Sequence, residues 1–198
     1  MIISDRIGRK ISELMLSEGV IKETETDIYS YCYSYLLDKL IYTAYIIIVA
    51  IVLRQPFSII VFFSVLLPLR TICGGVHADT QLKCSIFSFL VPPSIICLSV
   101  SFQPHIMTLL GTFAISLVIL LIFAPVGNKN NMISESKRQK LKKTLIIYSF
   151  PLVIMLALYM YLGLQNLIFM TVLCTLFCAV AVILGIIKNR RTGVCTLT

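Results

Sequence analysis

Charged residues are scarce in this chain of 198 residues. They make up 13% of the sequence, against roughly 25% in soluble domains, whereas apolar residues make up 58%. A soluble domain of this size has too little interior to hide that much apolar surface, so the excess is expected to face lipid. The composition excludes an ordinary cytosolic enzyme, a secreted disulfide scaffold and a disordered chain. It favours an all-α, polytopic helical membrane protein.

Several motifs of membrane enzymes and pumps are also missing. The chain has no HExxH, GxSxG or Walker A motif, no CxxC pair and only two histidines. These absences exclude a zincin metal site, a serine-hydrolase elbow and a nucleotide-binding loop of the usual kinds. The apolar stretches contain no Asp or Glu, which argues against a proton-coupled pump. We therefore expect no metal and no other cofactor.

Long uncharged stretches predict about six hydrophobic segments and four to six full crossings. Residues 40–53 and 55–69 are short for a bilayer core of ~30 Å, so they either cross with snorkelling flanks or form a shallow hairpin. Residues 84–128 and 144–187 carry no formal charge, and each stretch suits two spans. The expected joints are 103–105 and 163–166, and the Pro92-Pro93 pair should kink or break one span.

Basic residues cluster beside these stretches. Residues 127–144 contain six bases and one acid, and further bases lie at Lys188, Arg190 and Arg191. By the positive-inside rule, 127–144 and 188–198 are cytoplasmic, and residues 70–84 then fall on the same side. The net charge of +8 thus reflects topology, and we expect a lipid bilayer rather than a nucleic acid as its partner.

The N-terminal residues differ from the rest. Apolar positions in residues 2–16 recur at helical spacing and predict an amphipathic helix, which either lies on the membrane surface or packs on the rest of the protein. Residues 1–27 are charged throughout, so we expect no signal peptide. We treat 1–198 as a single membrane domain, with N-terminal cytoplasmic helices in 1–35, a transmembrane region over 36–187 and a tail from 188.

Residues 70–84 join two apolar stretches and concentrate chemically useful side chains. A thiol and an imidazole can cleave a peptide bond, because the thiolate attacks the carbonyl while the imidazole takes up and returns the proton. On one straight helix His77 and Cys84 would lie ~10 Å apart along the axis. The pair therefore needs a bend, with residues 74–78 in a loop and Cys84 in the first turns of the next helix.

Other interpretations of this segment stay open. His77 could be a hydrogen-bonded structural residue and Cys84 a packed thiol. Cys73 is a second candidate nucleophile, ranked below Cys84 because it precedes the double glycine. Asp79 could be the N-cap of the following helix or could orient His77. His105, in an expected outer turn, is interpreted as structural.

At this segment the chain resembles the AgrB family, accessory gene regulator protein B of Gram-positive bacteria. The resemblance rests on Arg70, the string Gly74-Gly75-Val76-His77-Ala78, and Cys84 seven positions after the histidine. A second match is Ala124-Pro125-Val126, followed by a polar turn and the basic run 137–143. Length, hydropathy and motif order agree over nearly the whole chain.

The resemblance implies a membrane-embedded cysteine endopeptidase in the bacterial cell membrane, with its active site on the cytoplasmic side. Its substrate would be an AgrD-like precursor peptide, which is cleaved and cyclised to a thiolactone or lactone pheromone for quorum sensing. Cys84 would be the nucleophile and His77 the general base and acid. Family members are thought to act as homodimers. Supporting or substrate-binding roles would fall to four further residues: Arg70, Gly74, Gly75 and Asp79.

Two other classes compete with the peptidase. A small peptide transporter or export partner would use 70–84 as a re-entrant binding loop, and a structural or sensor subunit would perform no chemistry. Arg70 could pair with a substrate carboxylate or simply snorkel to the interface. The basic run 137–143 could attract an acidic precursor tail or only set topology and contact anionic lipid.

Overall fold

The structure, a computed structural model, describes residues 2–75, 81–102, 104–127 and 134–191, without the side chains at 2, 3, 81–88 and 191. These residues form seven helices and no strand. The helices are α1 (Ile2–Ser17), α2 (Thr26–Val52), α3 (Ser58–Cys73), α4 (Gln81–Ser101), α5 (Ile106–Phe123), α6 (Glu135–Tyr161) and α7 (Gln165–Arg191).

Four of the described helical segments are long and apolar enough to cross a membrane: Glu23–Val52, Ile106–Phe123, Glu135–Tyr161 and Gln165–Arg190. Two shorter apolar helices, Ser58–Cys73 and Phe89–Ser101, complete the set of six apolar segments expected from the sequence. The prediction of an all-α, polytopic membrane protein is thereby confirmed. Four and six crossings remain the two candidate topologies.

The chain divides into two compact units, Met1–Val49 and Ala50–Thr198. The first contains α1 and most of α2, and the second contains α3 to α7. The arrangement of 1–198 as a single membrane domain stays a prediction.

In the first unit, α1 packs on α2 through small residues rather than through its apolar stripe. Ser4, Gly8 and Ser12 are buried, and the Ser34 hydroxyl of α2 donates to the Ser4 carbonyl at 3.3 Å. Ile7 and Leu14, which belong to the predicted apolar face, are 41% and 65% exposed. The amphipathic helix exists as predicted, but its apolar face is not the one that α2 covers.

The start of α3 is irregular, and the sequence explains why. α2 ends at Val52, and Arg54 adopts a positive φ of 54° just before Pro56. Within α3 a π-helical segment, Phe62–Leu66, precedes Pro68. Pro68 has no N–H to donate to the Ser64 carbonyl four residues earlier. That carbonyl instead accepts a hydrogen bond from the Tyr148 hydroxyl of α6.

Two of the expected joints lie where the sequence predicts them. α4 ends at Ser101 and α5 begins at Ile106, and the His105 side chain caps α5 by accepting from the Met107 N–H at 3.4 Å. α6 and α7 are joined by a turn with Gly163 at φ +69°. The Pro92-Pro93 pair does not break the span, because α4 continues through both prolines. The alternative, a kink at the pair, stays a prediction.

α7 forms the centre of the second unit. In its most apolar window 61% of residues are buried, against 22% in the windows of α5 and of α6. The helices α3, α4, α5 and α6 all pack against it. Small residues on α7, including Cys174, Cys178 and Ala181, are buried there. Small side chains let backbones approach closely, which is how helices associate inside a membrane.

Candidate active site at the end of α3

The last turn of α3 leads directly into the double glycine. The Gly74 N–H still donates to the Arg70 carbonyl at 3.2 Å, as in a helix. The backbone then changes direction, with φ of +66° at Gly74 and +106° at Gly75. Side chains rarely tolerate these angles, so the sequence needs glycine at both positions. The helix therefore ends at Cys73, four residues before His77 in the sequence.

A second segment holds this turn in place. The Val126 N–H donates to the Cys73 carbonyl at 3.0 Å, and the Gly75 N–H donates to the Val126 carbonyl at 3.3 Å. Together these bonds make an isolated parallel bridge between Gly74 and Val126. The Ala124-Pro125-Val126 string, quoted above as a second motif, thus contacts the glycine motif directly. The two motifs lie about 50 residues apart in the sequence, and nothing in the sequence indicated that they are in contact.

Both glycines also lie too close to neighbouring backbone for any side chain. A Cβ built on Gly74 would come within 3 Å of the Val126 carbonyl oxygen, and a Cβ on Gly75 would lie 2.8 Å from the Ala181 carbonyl oxygen of α7. Contacts under 3.0 Å are essentially never seen for real Cβ atoms. The double glycine is therefore fixed between the 124–127 segment and the central helix.

Arg70 turns back onto the same backbone. Its Nη1 donates to the Gly74 carbonyl at 2.7 Å, and the side chain is half-buried. The guanidinium therefore stabilises the turn, which neither of the two sequence interpretations anticipated. A role for Arg70 in binding a substrate carboxylate stays a prediction.

Cys73, the second candidate nucleophile, is enclosed. Its side chain is fully buried, and Cys174 and Cys178 of α7 are likewise buried. A thiol that neither water nor a peptide can reach in this conformation is poorly placed to attack a substrate. This burial argues against Cys73 as the nucleophile in this conformation, and the choice of Cys84 stays a prediction.

The predicted catalytic pair itself is described only in part. His77 and Asp79 lie outside the described residues, as do the helix-capping and orienting roles considered for Asp79. Cys84 is the fourth residue of α4, and its side chain is not described. The bend between His77 and Cys84 falls on residues 76–80, outside the described residues, and stays a prediction. The contact between His77 and Cys84 stays a prediction.

One contact near the site was not anticipated from the sequence. The Asn189 Nδ2 donates to the Gly127 carbonyl at 2.9 Å, and Asn189 is only 4% exposed. The sequence assigned residues 188–198 to a cytoplasmic tail, whereas α7 continues to Arg191. Asn189 is flanked by Lys188 and Arg190, so the local pattern shows only a basic terminus. Asn189 is recognised as a site residue only by its hydrogen bond to Gly127, 62 residues earlier in the chain.

Positive charge collects at the same end of the second unit. Gly127 lies just before the segment that leads to the basic start of α6, and α6 and α7 are joined by a short turn at their far ends. The start of α6 and the end of α7 therefore meet at one end. The bonds from Val126 to Cys73 and from Asn189 to Gly127 place the double glycine there too.

Comparison with known proteins identifies a family for most of the chain. No curated protein and no solved structure matches the chain. The family model described as accessory gene regulator B matches residues 6–188 of the 198-residue chain. That span includes all seven helices apart from the first residues of α1 and the last residues of α7, and it contains the whole glycine turn with its partners. The chain therefore belongs to the accessory gene regulator B family.

Proposed function

We propose that this protein is a membrane-embedded cysteine endopeptidase that cleaves an AgrD-like precursor peptide and supports its cyclisation. Family membership assigns the chain to the accessory gene regulator system of quorum sensing. The observation that carries the finer proposal is the rigid glycine turn. Two segments distant in sequence hold Gly75, two residues before His77, and Cys84 follows in the first turn of α4.

The reaction has two covalent steps. The Cys84 thiolate attacks the carbonyl carbon of the scissile peptide bond, and the His77 imidazolium protonates the leaving nitrogen as the C–N bond breaks. The acidic tail leaves, and the rest of the precursor remains on Cys84 as a thioester. A cysteine thiol of the precursor gives its proton to His77 and attacks the thioester carbonyl. As the new C–S bond of the thiolactone forms, the bond to Cys84 breaks and Cys84 leaves as the thiolate, beside the protonated His77. A serine hydroxyl would form a lactone in the same way.

The free-energy changes of the two steps favour an active site that is held by a fixed turn. The second step exchanges one thioester for another and is close to neutral, so it needs orientation more than driving force. Forming a thioester from an amide is uphill, so water must be kept from the acyl-enzyme. A turn held by backbone contacts against the central helix supports both requirements.

We further propose that the site faces the cytoplasm and that the protein acts as a homodimer. The basic start of α6 and the basic end of α7 support the first proposal, because the glycine turn lies at that end. A precursor with an amphipathic leader would be confined to the same membrane surface, which raises its effective concentration. The homodimer rests on family resemblance and is tested by crosslinking in native membranes.

The decisive experiment uses purified protein in lipid nanodiscs with a synthetic precursor that has an amphipathic leader, one ring cysteine and an acidic tail. We expect the tail to be released and an adduct to form on Cys84, seen by peptide mass. Cys84→Ala and His77→Ala should abolish release, whereas Cys97→Ala, a change at an exposed thiol, should not. Tail release by folded Cys84→Ala would refute the peptidase mechanism. Peptide transport by that variant would favour the transporter.

A further inference from the structure

We propose that Asn189, at the end of α7, is a positioning residue for the active-site turn, a role that rests on the proposed peptidase function. Its side-chain amide holds Gly127, and through Val126 it restrains Gly75, which precedes His77 by two residues in the sequence.

Asn189 is a buried polar residue. A polar side chain that is 4% exposed must be hydrogen-bonded to offset the cost of leaving water. Its Nδ2 meets this need at the Gly127 carbonyl, 62 residues earlier in the chain, at 2.9 Å. A backbone carbonyl held by a side chain on α7, the central helix of the unit, has little freedom to move.

Gly127 is connected to the glycine turn through Val126. Gly127 adjoins Val126, whose N–H and carbonyl both bond to the turn, at Cys73 and at Gly75. Two rungs alone make a weak bridge, since an isolated pairing outside a sheet has no neighbouring strand to support it. The Asn189 bond holds the chain immediately after Val126, so it restrains both of the rungs that the structure describes.

The helix α7 also contacts the glycine turn directly, through Ala181. The Ala181 carbonyl of α7 lies against Gly75, where a Cβ would come within 2.8 Å. Ala181 and Asn189 are eight residues apart, so α7 acts on the turn directly at one point and through Val126 at another. A shift of the 124–127 segment relative to α7 would therefore displace Gly75, because Gly75 is bonded to Val126 and packed against Ala181.

The test compares three variants at one position with one control. Asn189→Asp keeps the size of the side chain but lacks the Nδ2 donor, Asn189→Ala removes the amide, and Asn189→Gln retains a donor. Asn166→Ala removes an amide from the opposite end of α7 as the control. Each protein is purified in nanodiscs and checked for folding by its thermal unfolding.

Three measurements decide the proposal. Amide hydrogen exchange of peptides covering 73–75 and 124–127 reports on the bridge. The pH profile of Cys84 alkylation reports on the catalytic pair without substrate, and kcat and KM are measured with the synthetic precursor. For Asn189→Asp and Asn189→Ala we expect exchange about fivefold faster or more. We expect kcat to fall at least about tenfold with KM little changed, and the alkylation profile to approach that of His77→Ala.

Restoration by Asn189→Gln of part of the kcat, with wild-type behaviour in Asn166→Ala, would support the proposal. Unchanged exchange in Asn189→Asp would overturn it, as would faster exchange with unchanged kcat and alkylation profile. Failure of the peptidase function itself is recognised separately, because wild-type protein and Cys84→Ala would then release the tail equally. In that case the positioning role falls with the function, while the exchange data still report on the bridge.

Discussion

Gly75 and Ala181 are in backbone contact, with no room for a side chain between them: a Cβ on Gly75 would lie 2.8 Å from the Ala181 carbonyl oxygen and 2.9 Å from its carbon. The two residues belong to segments more than a hundred positions apart. Their contact fixes the turn at the end of α3 against the central helix.

Replacing Gly75 by alanine should displace the turn. The new methyl group meets backbone atoms that cannot rotate away, and φ of +106° adds strain. We expect a loss of roughly 1–3 kcal/mol in the free energy of unfolding and a fall in precursor cleavage of about a hundredfold. Gly163→Ala is the matched control, since φ is +69° there but nothing lies within 4 Å. Equal effects of the two changes on cleavage would show that the contact with Ala181 is unimportant.

Cys84 should be the most reactive thiol near neutral pH. A helix N-terminus and a nearby imidazolium both favour the thiolate, so alkylation of Cys84 should outpace that of the other six cysteines. His77→Ala should slow it to an ordinary rate. The measurement is the alkylation rate of each cysteine-containing peptide against pH. The exposed Cys32 and Cys97 provide the internal reference. An alkylation rate of Cys84 that is the same in wild-type and His77→Ala protein would argue against a preformed pair.

Tyr148→Phe should destabilise the protein without impairing its chemistry. The hydroxyl supplies a hydrogen bond to the Ser64 carbonyl, which Pro68 cannot donate to. Its removal leaves that carbonyl short of a partner, at a cost of about 1–3 kcal/mol. Thermal unfolding in detergent measures the effect, and Tyr161→Phe, at a side chain 87% exposed, serves as control. An unchanged unfolding midpoint would mean that another donor replaces Tyr148.

Gly8→Leu should release α1 from α2. A Cβ on Gly8 already comes within 3 Å of the Ser34 hydroxyl and of the Ser30 carbonyl, so a leucine cannot be accommodated without separating the helices. We expect amide exchange over residues 2–17 to become at least about tenfold faster. Lys10→Leu adds the same side chain at an exposed position of the same helix and should leave the exchange unchanged. Similar exchange in both variants would contradict the packing through small residues.

Labelling should place the site on the cytoplasmic side. In a variant whose only cysteine is Cys84, a membrane-impermeant maleimide should react in inverted vesicles and not in right-side-out cells. Gly163→Cys, introduced into a cysteine-free chain, should show the opposite pattern, because residue 163 lies in the turn at the far end of α6 and α7. Labelling of both positions from the same side would refute the topology.

The helices and their joints were predictable because hydropathy and turn chemistry are local properties. The turns at His105 and Gly163 interrupt apolar stretches, and both separate helices as expected. The Pro92-Pro93 pair does not break α4, because a helix packed in a bundle can continue past a missing donor. In α1 the apolar stripe was predicted correctly as a pattern. That stripe is not the face of α1 that packs on α2. Lipid is as apolar as the side chains, so apolar contact contributes little free energy to helix association, and small residues that let the backbones approach closely determine the packed face.

By itself the sequence determined the class of the protein, its apolar segments and the short segment that carries the candidate chemistry. Composition, charge and motif spacing suffice for these, because each acts over a few neighbouring residues. Only the tertiary structure decided what holds that segment in place: Val126 beside Gly74, Ala181 against Gly75, and Asn189 on Gly127. These partners are backbone groups and one unremarkable amide, brought from 50 to more than 100 residues away. A contact of that kind depends on how helices pack, and no local pattern records it.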